Sequence, residues 1–220
     1  MSVELEDAVA LLDPGPLPLE MGIARLPSGV LHVAARTDMP RCKGRMFEWW
    51  FRFAPDSTQY AWWHPLDHVS SAWAETSPTT HVGSTHIVEE RLGAEEVHAL
   101  QIAFHDPAEL FGAEAVADAL DSGVVSAFVC ARIGIGEDPP RDERGRPLGA
   151  RLAHIARDTP EGMVLRSRFW LGVGVPPEVP DALGLGLMQH AHTEFKYLAR
   201  FLPSLYGGAH PDDETAALPW

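Results

Sequence analysis

A histidine and a glutamate stand four residues apart near the C-terminal end of the chain, at His190 and Glu194. On a helix, residues with this spacing project from nearly the same face, with Cβ atoms roughly 5–6 Å apart. The pair can therefore bind one metal ion, and zinc accepts both imidazole nitrogen and carboxylate oxygen. A solvated ion pair is the alternative, but the apolar neighbours Met188, Ala191 and Phe195 place the pair near a buried face.

Two further histidines, His64 and His68, follow an aromatic segment that contains Tyr60 and the tryptophans Trp62 and Trp63. Buried imidazoles are costly without polar partners. An exposed loop without a function and an ordinary hydrogen bond in the core are both open alternatives for this segment. A metal site requires that one of the two histidines approach the helix pair in space.

A third candidate segment reads as a strand over residues 84–92. Strand alternation puts His86, Val88 and Glu90 on one face and Glu89 and Arg91 on the other. An inward-facing Glu90 needs a cation. Two histidines and two carboxylates make a plausible zinc set, with a further position open for water or substrate.

His154 is a single histidine in a strand-like segment, and such a residue is more often structural than catalytic. A tight reversal over residues 158–162 leads from it to a second strand that contains Phe169 and Trp170. The tryptophans Trp62, Trp63 and Trp170 could line a slot for a flat ring, although core packing explains them equally well.

The remaining pattern predicts the elements that must position these residues. Residues 1–20 are Pro-rich and read as an extended arm, a first strand is predicted at 29–34, and 46–53 is a short helix or strand. Strand character recurs at 59–63, 84–92, 99–105, 124–133, 151–157 and 163–172, with a short helix at 108–120. A long C-terminal helix is predicted from Asp181 as N-cap to Leu202-Pro203. The fold class is therefore α+β, with a curved antiparallel sheet around one helix and a cavity between them.

Composition limits the classes of function. The chain has 220 residues, 45% of them hydrophobic and 22% charged, which is typical of a globular protein. A formal net charge of −14 disfavours nucleic acid and anionic membranes as partners. The two cysteines form no CxxC pair, the N-terminus is acidic where a secretory signal is basic, and no stretch reaches the length of a membrane span. A cytoplasmic location is the expectation. The sequence leaves the oligomeric state open, including a homodimer.

Five blocks in order resemble the diacetylphloroglucinol hydrolases and phloretin hydrolases. The blocks lie at 46–51 (Met-Phe-Glu-Trp-Trp-Phe), 63–68 (Trp-His-Pro-Leu-Asp-His), 88–93 (Val-Glu-Glu-Arg-Leu-Gly), 154–172 and 190–206. The resemblance implies a helix-grip fold, as in START-like and birch-pollen-allergen-like domains. It also implies a zinc ion, held in the family by His, Glu, His and Glu in that order. By motif, these ligands become His68, Glu90, His190 and Glu194.

The resemblance also assigns roles outside the metal site. The family's substrate-facing tyrosine stands eight residues before the first ligand, as Tyr60 does for His68. His64 remains a rival for the first ligand position, and it is also a candidate substrate contact. His154 matches the family's active-site histidine. Two positions depart from the pattern: a second tyrosine is replaced by Phe169, and an asparagine near the first ligand by Ser71. Both are expected to lie at the substrate.

These observations predict an arm and first strand over 1–45, a catalytic helix-grip domain over 46–206 and a tail over 207–220. The predicted function is zinc-dependent hydrolysis of the bond between an acyl group and a phenolic ring, with His154 as the acid that protonates the ring and Tyr60 orienting a substrate oxygen. The predicted partner is therefore an aromatic small molecule. A helix-grip domain that only binds a hydrophobic molecule, and a zinc-dependent lyase or cyclase, are the alternatives.

Overall fold

The computed structural model describes residues 2–93, 95–175 and 179–213. Eight strands form one sheet: β1 (Gly22–Arg25), β2 (Leu31–Pro40), β3 (His68–Ala74), β4 (Thr85–Arg91), β5 (Val97–His105), β6 (Ala127–Ile135), β7 (Gly149–Thr159) and β8 (Gly162–Val173). The helices are α1 (Gly44–Phe53), α2 (Ser57–Trp63), α3 (Ala108–Phe111), α4 (Ala113–Asp121) and α5 (Asp181–Ala209). A 3-10 helix at Leu5–Leu12 precedes β1.

Every neighbouring pair of strands is antiparallel, in the spatial order β1-β2-β8-β7-β6-β5-β4-β3. The sheet curves around α5, and α1 and α2 complete the core on the same concave side. The 3-10 helix, α3 and α4 cover part of the opposite, convex side. This architecture confirms the α+β class and the helix-grip prediction of a curved sheet around a long C-terminal helix.

Both faces of the sheet are covered because several strands lack a polar face. β7 is buried at every position from Gly149 to Ala156, and β8 is nearly as buried. On the convex side, Glu20 pairs with Arg166 at 2.8 Å and with Arg168 at 3.3 Å. These ion pairs hold the N-terminal segment against the sheet, and the fully buried Arg168 guanidinium gains its counter-ion there.

Two predicted elements are wrong. Residues 59–63, predicted as a strand, belong to helix α2, because Asp56 caps its first turn and Gln59 completes a capping box. The predicted end of α5 at Leu202-Pro203 is also wrong, since the helix continues to Ala209. Pro203 cannot donate to the carbonyl of Ala199, but the Cys42 thiol lies 3.9 Å from that oxygen and partly replaces the donor.

Other boundaries differ in detail. The extended arm predicted at 1–20 contains the 3-10 helix, and the single helix predicted at 108–120 is interrupted at Gly112, where φ is +82°. Asp181 is the first residue of α5 rather than its N-cap, and it pairs with Arg25. Within 1–45, β1 and β2 are hydrogen-bonded into the sheet. Of the predicted tail, residues 214–220 lie outside the described residues.

No helix within the described ranges combines the length and the apolar character that crossing a bilayer requires.

Candidate active site

The first predicted ligand is positioned by helix α2 and the turn that follows it. Tyr60 and Trp63 stand three residues apart and are both buried, so α2 presents one aromatic face to the core. The chain then turns through His64 and Asp67 and enters β3 at His68. The His68 ring stacks on that of Tyr60, with centroids 3.6 Å apart and planes within 7°.

Strand pairing brings the second predicted ligand beside the first. His68 of β3 is directly opposite Glu90 of β4. The burial of β4 alternates so that His86, Val88 and Glu90 face inward, as predicted from sequence. Each of these three residues is at most 6% exposed.

Helix α5 supplies the third and fourth predicted ligands, and a glycine contact sets its distance from the sheet. A Cβ on Gly93, just after β4, would lie 2.6 Å from the Cα of Gly186. A Cβ on Gly186 would in turn overlap the carbonyl oxygen of Leu92. The backbones therefore touch one helical turn before His190, which carries His190 and Glu194 toward the β3–β4 edge of the sheet.

Four donor atoms converge at this edge. The Nε2 atom of His68 lies 3.3 Å from Nε2 of His190, 3.8 Å from Oε2 of Glu90 and 3.7 Å from Oε2 of Glu194. Nε2 of His190 lies 3.8 Å from Oε2 of Glu90. A tetrahedral zinc ion with bonds of about 2.0–2.1 Å separates its donors by about 3.3–3.5 Å. The donors of His68, Glu90 and His190 all lie within 4.8 Å of one another and could hold such an ion, and Glu194 adds a carboxylate oxygen beside His68.

The outer atoms of these side chains are already bonded. Nδ1 of His68 lies 2.9 Å from the Tyr60 carbonyl oxygen, and Nδ1 of His190 lies 3.1 Å from Oδ2 of Asp67. Both acceptors require a proton on Nδ1, so in the neutral imidazoles, the form that binds a metal, the lone pairs of both Nε2 atoms face the centre. The Tyr60 hydroxyl donates at 2.5 Å to Oε2 of Glu90, the same oxygen that faces the imidazoles. The Nδ1 partners therefore orient the two imidazole donors as they would be oriented around a metal.

The electrostatics of the protein alone also favour a cation. Burial lowers the pKa of His190, but Glu90, Asp67 and Glu194 outweigh it and raise this pKa to about 9. Burial raises the pKa of Glu194 to about 8, and Glu90 adds to the rise while His190 opposes it. Burial and His190 lower the pKa of His68 to about 2. The side chains alone therefore hold protons on both His190 and Glu194 near pH 7, and a divalent ion would take the place of these protons.

Glu90, His190 and Glu194 form part of the wall of a cavity between the sheet and α5, whereas His68 is not in its lining. The cavity has an empty volume of about 780 Å³, including its open mouth, and its lining is mostly apolar. Tyr60, Glu90, His190 and Glu194 line it, together with His86, His154 and Phe169. The predicted acid, the predicted orienting tyrosine and three of the four predicted ligands therefore face one space.

His154 lies in an aromatic part of this cavity. Its ring contacts Phe195, Phe47 and Phe169 with centroids 4.8–5.9 Å apart, and Nδ1 lies 2.8 Å from the Ser167 hydroxyl oxygen. Burial lowers the pKa of His154 to about 3, so the imidazole is neutral near pH 7. No opposing charge compensates the burial, in contrast to His190.

Four sequence candidates, Ser71, His64, Trp62 and Trp170, are not in the cavity lining. Ser71 is outside the cavity lining; its hydroxyl lies 2.8 Å from the Pro55 carbonyl oxygen and 2.8 Å from Nε2 of His86. His64 lies behind the metal-type cluster, stacked on His190 at 4.7 Å. Of the three tryptophans, Trp63 lines the cavity, Trp62 is 48% exposed, and Trp170 is buried on the convex side.

Two residues in the site were not predicted to have a role. Asp67 binds His190, and its Oδ2 also lies 3.3 Å from Nε2 of His64. Hydrogen bonding to His190 lowers the pKa of Asp67 despite its partial burial. His86 lines the cavity and is held by Ser71. The alternation of β4 indicated that His86 faces inward, whereas no spacing rule links Asp67 to the helix.

The fold and the donor set together define a class: a helix-grip domain with a buried His/carboxylate site in the wall of an apolar cavity. The chain belongs to the family described as the DAPG hydrolase PhiG domain, whose model matches residues 3–207.

Two hydrolases and several solved structures are similar to this chain. The 2,4-diacetylphloroglucinol hydrolase of Pseudomonas protegens is 28% identical over 237 residues, covering 94% of this chain and 74% of that protein. The phloretin hydrolase of Eubacterium ramulus is 27% identical over 213 residues, covering 84% of this chain and 71% of that protein. Among solved structures, Ara h 8.0201 has a TM-score of 0.47 and 9% identity, covering 80% of this chain and 99% of that one. A START superfamily protein from Mycobacterium smegmatis also has a TM-score of 0.47, with 10% identity and coverage of 80% and 98%.

Proposed function

We propose that the protein is a zinc-dependent hydrolase that cleaves the carbon–carbon bond between an acyl group and a phenolic ring. The observation that carries this proposal is the convergence of His68, Glu90 and His190, with Glu194 3.7 Å from His68, beside an apolar cavity in a chain of this family. Hydrolysis of an aryl ketone needs an electrophilic catalyst at the ketone oxygen and a proton source at the ring. The cavity offers candidates for both.

The four donors would hold the zinc ion, with Asp67 and the Tyr60 carbonyl fixing the orientation of the two imidazoles. Zinc bound by these side chains supplies Lewis acidity, which polarises a ketone oxygen. The Tyr60 hydroxyl, which donates to Glu90, lies where it can also orient a substrate oxygen. The apolar lining excludes bulk water and suits a flat aromatic substrate.

The remaining step is a balanced transfer of one water molecule. The oxygen of water bonds to the acyl carbon, and the bond from that carbon to the ring breaks with its electron pair on the ring carbon. The ring carbon then takes up a proton, so the products are a carboxylic acid and a deacylated phenol. Phenolic oxygens on the ring spread the negative charge and make the ring carbon a feasible leaving group.

His154 is the proposed carrier of this proton. Because the imidazole is neutral, it can accept the proton released when water adds to the acyl carbon. A conjugate acid with a pKa of about 3 is then a strong donor to the ring carbon. One side chain in the aromatic part of the cavity would thus serve both steps.

The test is elemental analysis and product analysis of the wild type beside Glu194→Ala and a matched control, Glu89→Ala. Glu89 lies on the exposed face of β4, where Ser70 donates to it at 2.7 Å. We expect about one zinc per chain in the wild type and the control, and loss of zinc and hydrolysis in Glu194→Ala. Absence of zinc from the wild type, with no gain when zinc is added, would favour a domain that only binds a hydrophobic molecule. Zinc-dependent turnover without a carboxylic acid product would favour a lyase or cyclase.

A further inference from the structure

The cavity has two chemically different halves. Its inner half, around His154, is lined by the aromatic rings of Phe51, Phe104 and Phe169. The outer half is lined by aliphatic side chains from the neighbouring rows of the sheet, including Ile133, Ile135 and Leu171, and by Leu183 and Leu187 of α5. A uniform pocket for a single ring would not need this division.

The aliphatic half continues into a second apolar space, here called the annex. Four residues line both spaces: Ile135, Ala150, Leu171 and Leu183. The annex is completed by Pro140, Leu148 and Val179, among other residues, and has an empty volume of about 560 Å³ with its opening included. No charged side chain lines it within the described residues.

The loop between β6 and β7 forms one wall of the annex and is anchored to the sheet. Leu148 donates its N–H to the Pro140 carbonyl at 2.8 Å, and Arg141 donates to the side chain of Gln101 at 2.5 Å. Gln101 in turn donates to the Glu137 carbonyl at 2.7 Å. These hydrogen bonds fix the position of the loop, so the apolar wall of the annex is part of the ordered fold.

The annex lies in a defined direction from the metal-type site. Along one face of α5, Glu194 and His190 are followed toward the N-terminus by Leu187 and then Leu183, which borders the annex. At 1.5 Å per residue, Leu183 is about 10 Å along the helix from His190. A ketone held at the donors, with its ring directed toward His154, would direct its acyl group along this line of leucines.

We propose that the annex is a binding subsite for an extended apolar acyl group, so that the preferred substrates are phenolic ketones with acyl chains longer than acetyl. This inference rests on the proposed function. The length of the apolar path, its continuity with the cavity and the aromatic character of the opposite half all point to this occupant. Burial of each methylene of the acyl chain should favour binding.

The experiment measures kcat/KM for a series of monoacylated phloroglucinols from acetyl to octanoyl. Each methylene buried in the annex should raise kcat/KM about four-fold, which corresponds to about 0.8 kcal/mol. Leu148→Asn should lower the octanoyl-to-acetyl ratio by about ten-fold or more, because it places an amide against the chain. Leu120→Asn, at a half-exposed leucine of α4 far from the cavity, should leave this ratio at the wild-type value.

The outcomes separate the two proposals. If the wild type hydrolyses the acetyl compound but kcat/KM does not rise with acyl length, the annex inference is overturned and the proposed function stands. This comparison needs no variant. If no ketone is hydrolysed, the proposed function fails. Calorimetric titration of the same ketones then decides the annex separately, because an affinity that does not increase with chain length contradicts it.

Discussion

The two ends of the cavity each contain a buried histidine, but the surroundings act on the two in opposite directions. At the β3–β4 edge, Glu90, Asp67 and Glu194 raise the pKa of His190 to about 9. In the aromatic half, burial lowers the pKa of His154 to about 3, and its ring contacts are with phenylalanines. Both histidines are buried, but near pH 7 His190 carries a positive charge and His154 is neutral.

This contrast separates two tasks that hydrolysis of an aryl ketone combines. The charged end is suited to hold a cation and a polarised oxygen, because carboxylates and oriented imidazoles surround it. The aromatic end is suited to an uncharged ring and to a proton carrier that starts neutral. Each of the following variants alters one end or the connection between the ends.

The largest effect is expected at the aromatic end. His154→Gln should lower kcat by about 10²–10⁴-fold while zinc content stays near one per chain, since it removes the proton carrier and leaves the donors intact. The matched control is His32→Gln. His32 is also buried, stacks on Trp170 at 5.2 Å and has a pKa lowered by burial to about 4, but it belongs to the convex side. If His154→Gln keeps the wild-type kcat, His154 is not the acid that protonates the ring.

At the charged end, Asp67→Asn should weaken zinc binding by about 10–100-fold. The amide lacks the negative charge that fixes the proton on Nδ1 of His190, so the imidazole loses basicity as a ligand. Competition with a chromophoric chelator measures this change directly. Asp38→Asn is the control, because Asp38 pairs with Arg36 on the surface at 3.2 Å. Equal zinc affinities in the two variants would contradict the role of Asp67.

The glycine contact tests whether the spacing of helix and sheet matters. Gly186→Ala should lower the free energy of unfolding by about 1–3 kcal/mol, since the new Cβ overlaps the Leu92 carbonyl oxygen and pushes α5 outward. Gly208→Ala, at an exposed position in the same helix with open space around it, should stabilise the protein by about 0.5–1 kcal/mol. Urea denaturation measures both. Equal shifts in the two variants would contradict the close contact at Gly186.

The smallest effect is expected at Ser71. Ser71→Ala removes the hydroxyl that contacts Pro55 and His86 and should cost about 1 kcal/mol of stability. KM should remain at the wild-type value, because the hydroxyl is bonded to Pro55 and His86 and Ser71 is not in the cavity lining. A large rise in KM without a loss of stability would support the sequence-based prediction that Ser71 contacts substrate.

Local periodicity was sufficient to predict part of this arrangement. The four-residue spacing of His190 and Glu194 and the alternation of β4 gave the directions of three candidate ligands. Helix α2 was misread as a strand because its aromatic residues have high β propensity, whereas the capping box at Asp56 determines the local structure. The β propensity of these aromatic residues does not outweigh a helix N-terminus whose first N–H groups are hydrogen-bonded by a capping box.

Other features depend on contacts between distant segments and leave no local pattern. The different positions of His64 and His68 depend on the contact of His64 with Asp67 and on the bond of His68 to the Tyr60 carbonyl. The continuation of α5 past Pro203 depends on Cys42, a residue from the other side of the core. The annex likewise arises from loops whose packing no spacing rule describes.

The pairing of β2 with β8 has a consequence for how the protein is made. Leu31 of β2 lies opposite Leu171 of β8, so β2 cannot pair with the rest of the sheet until the last of the eight strands is available. Pairings between such distant segments slow folding, and until they form the apolar inner faces of the strands are exposed to aggregation. His68 and Glu90 are synthesised early but lack half of their donor set until Glu194 has left the ribosome. Acquisition of the metal is therefore expected to be a late event in the maturation of this protein.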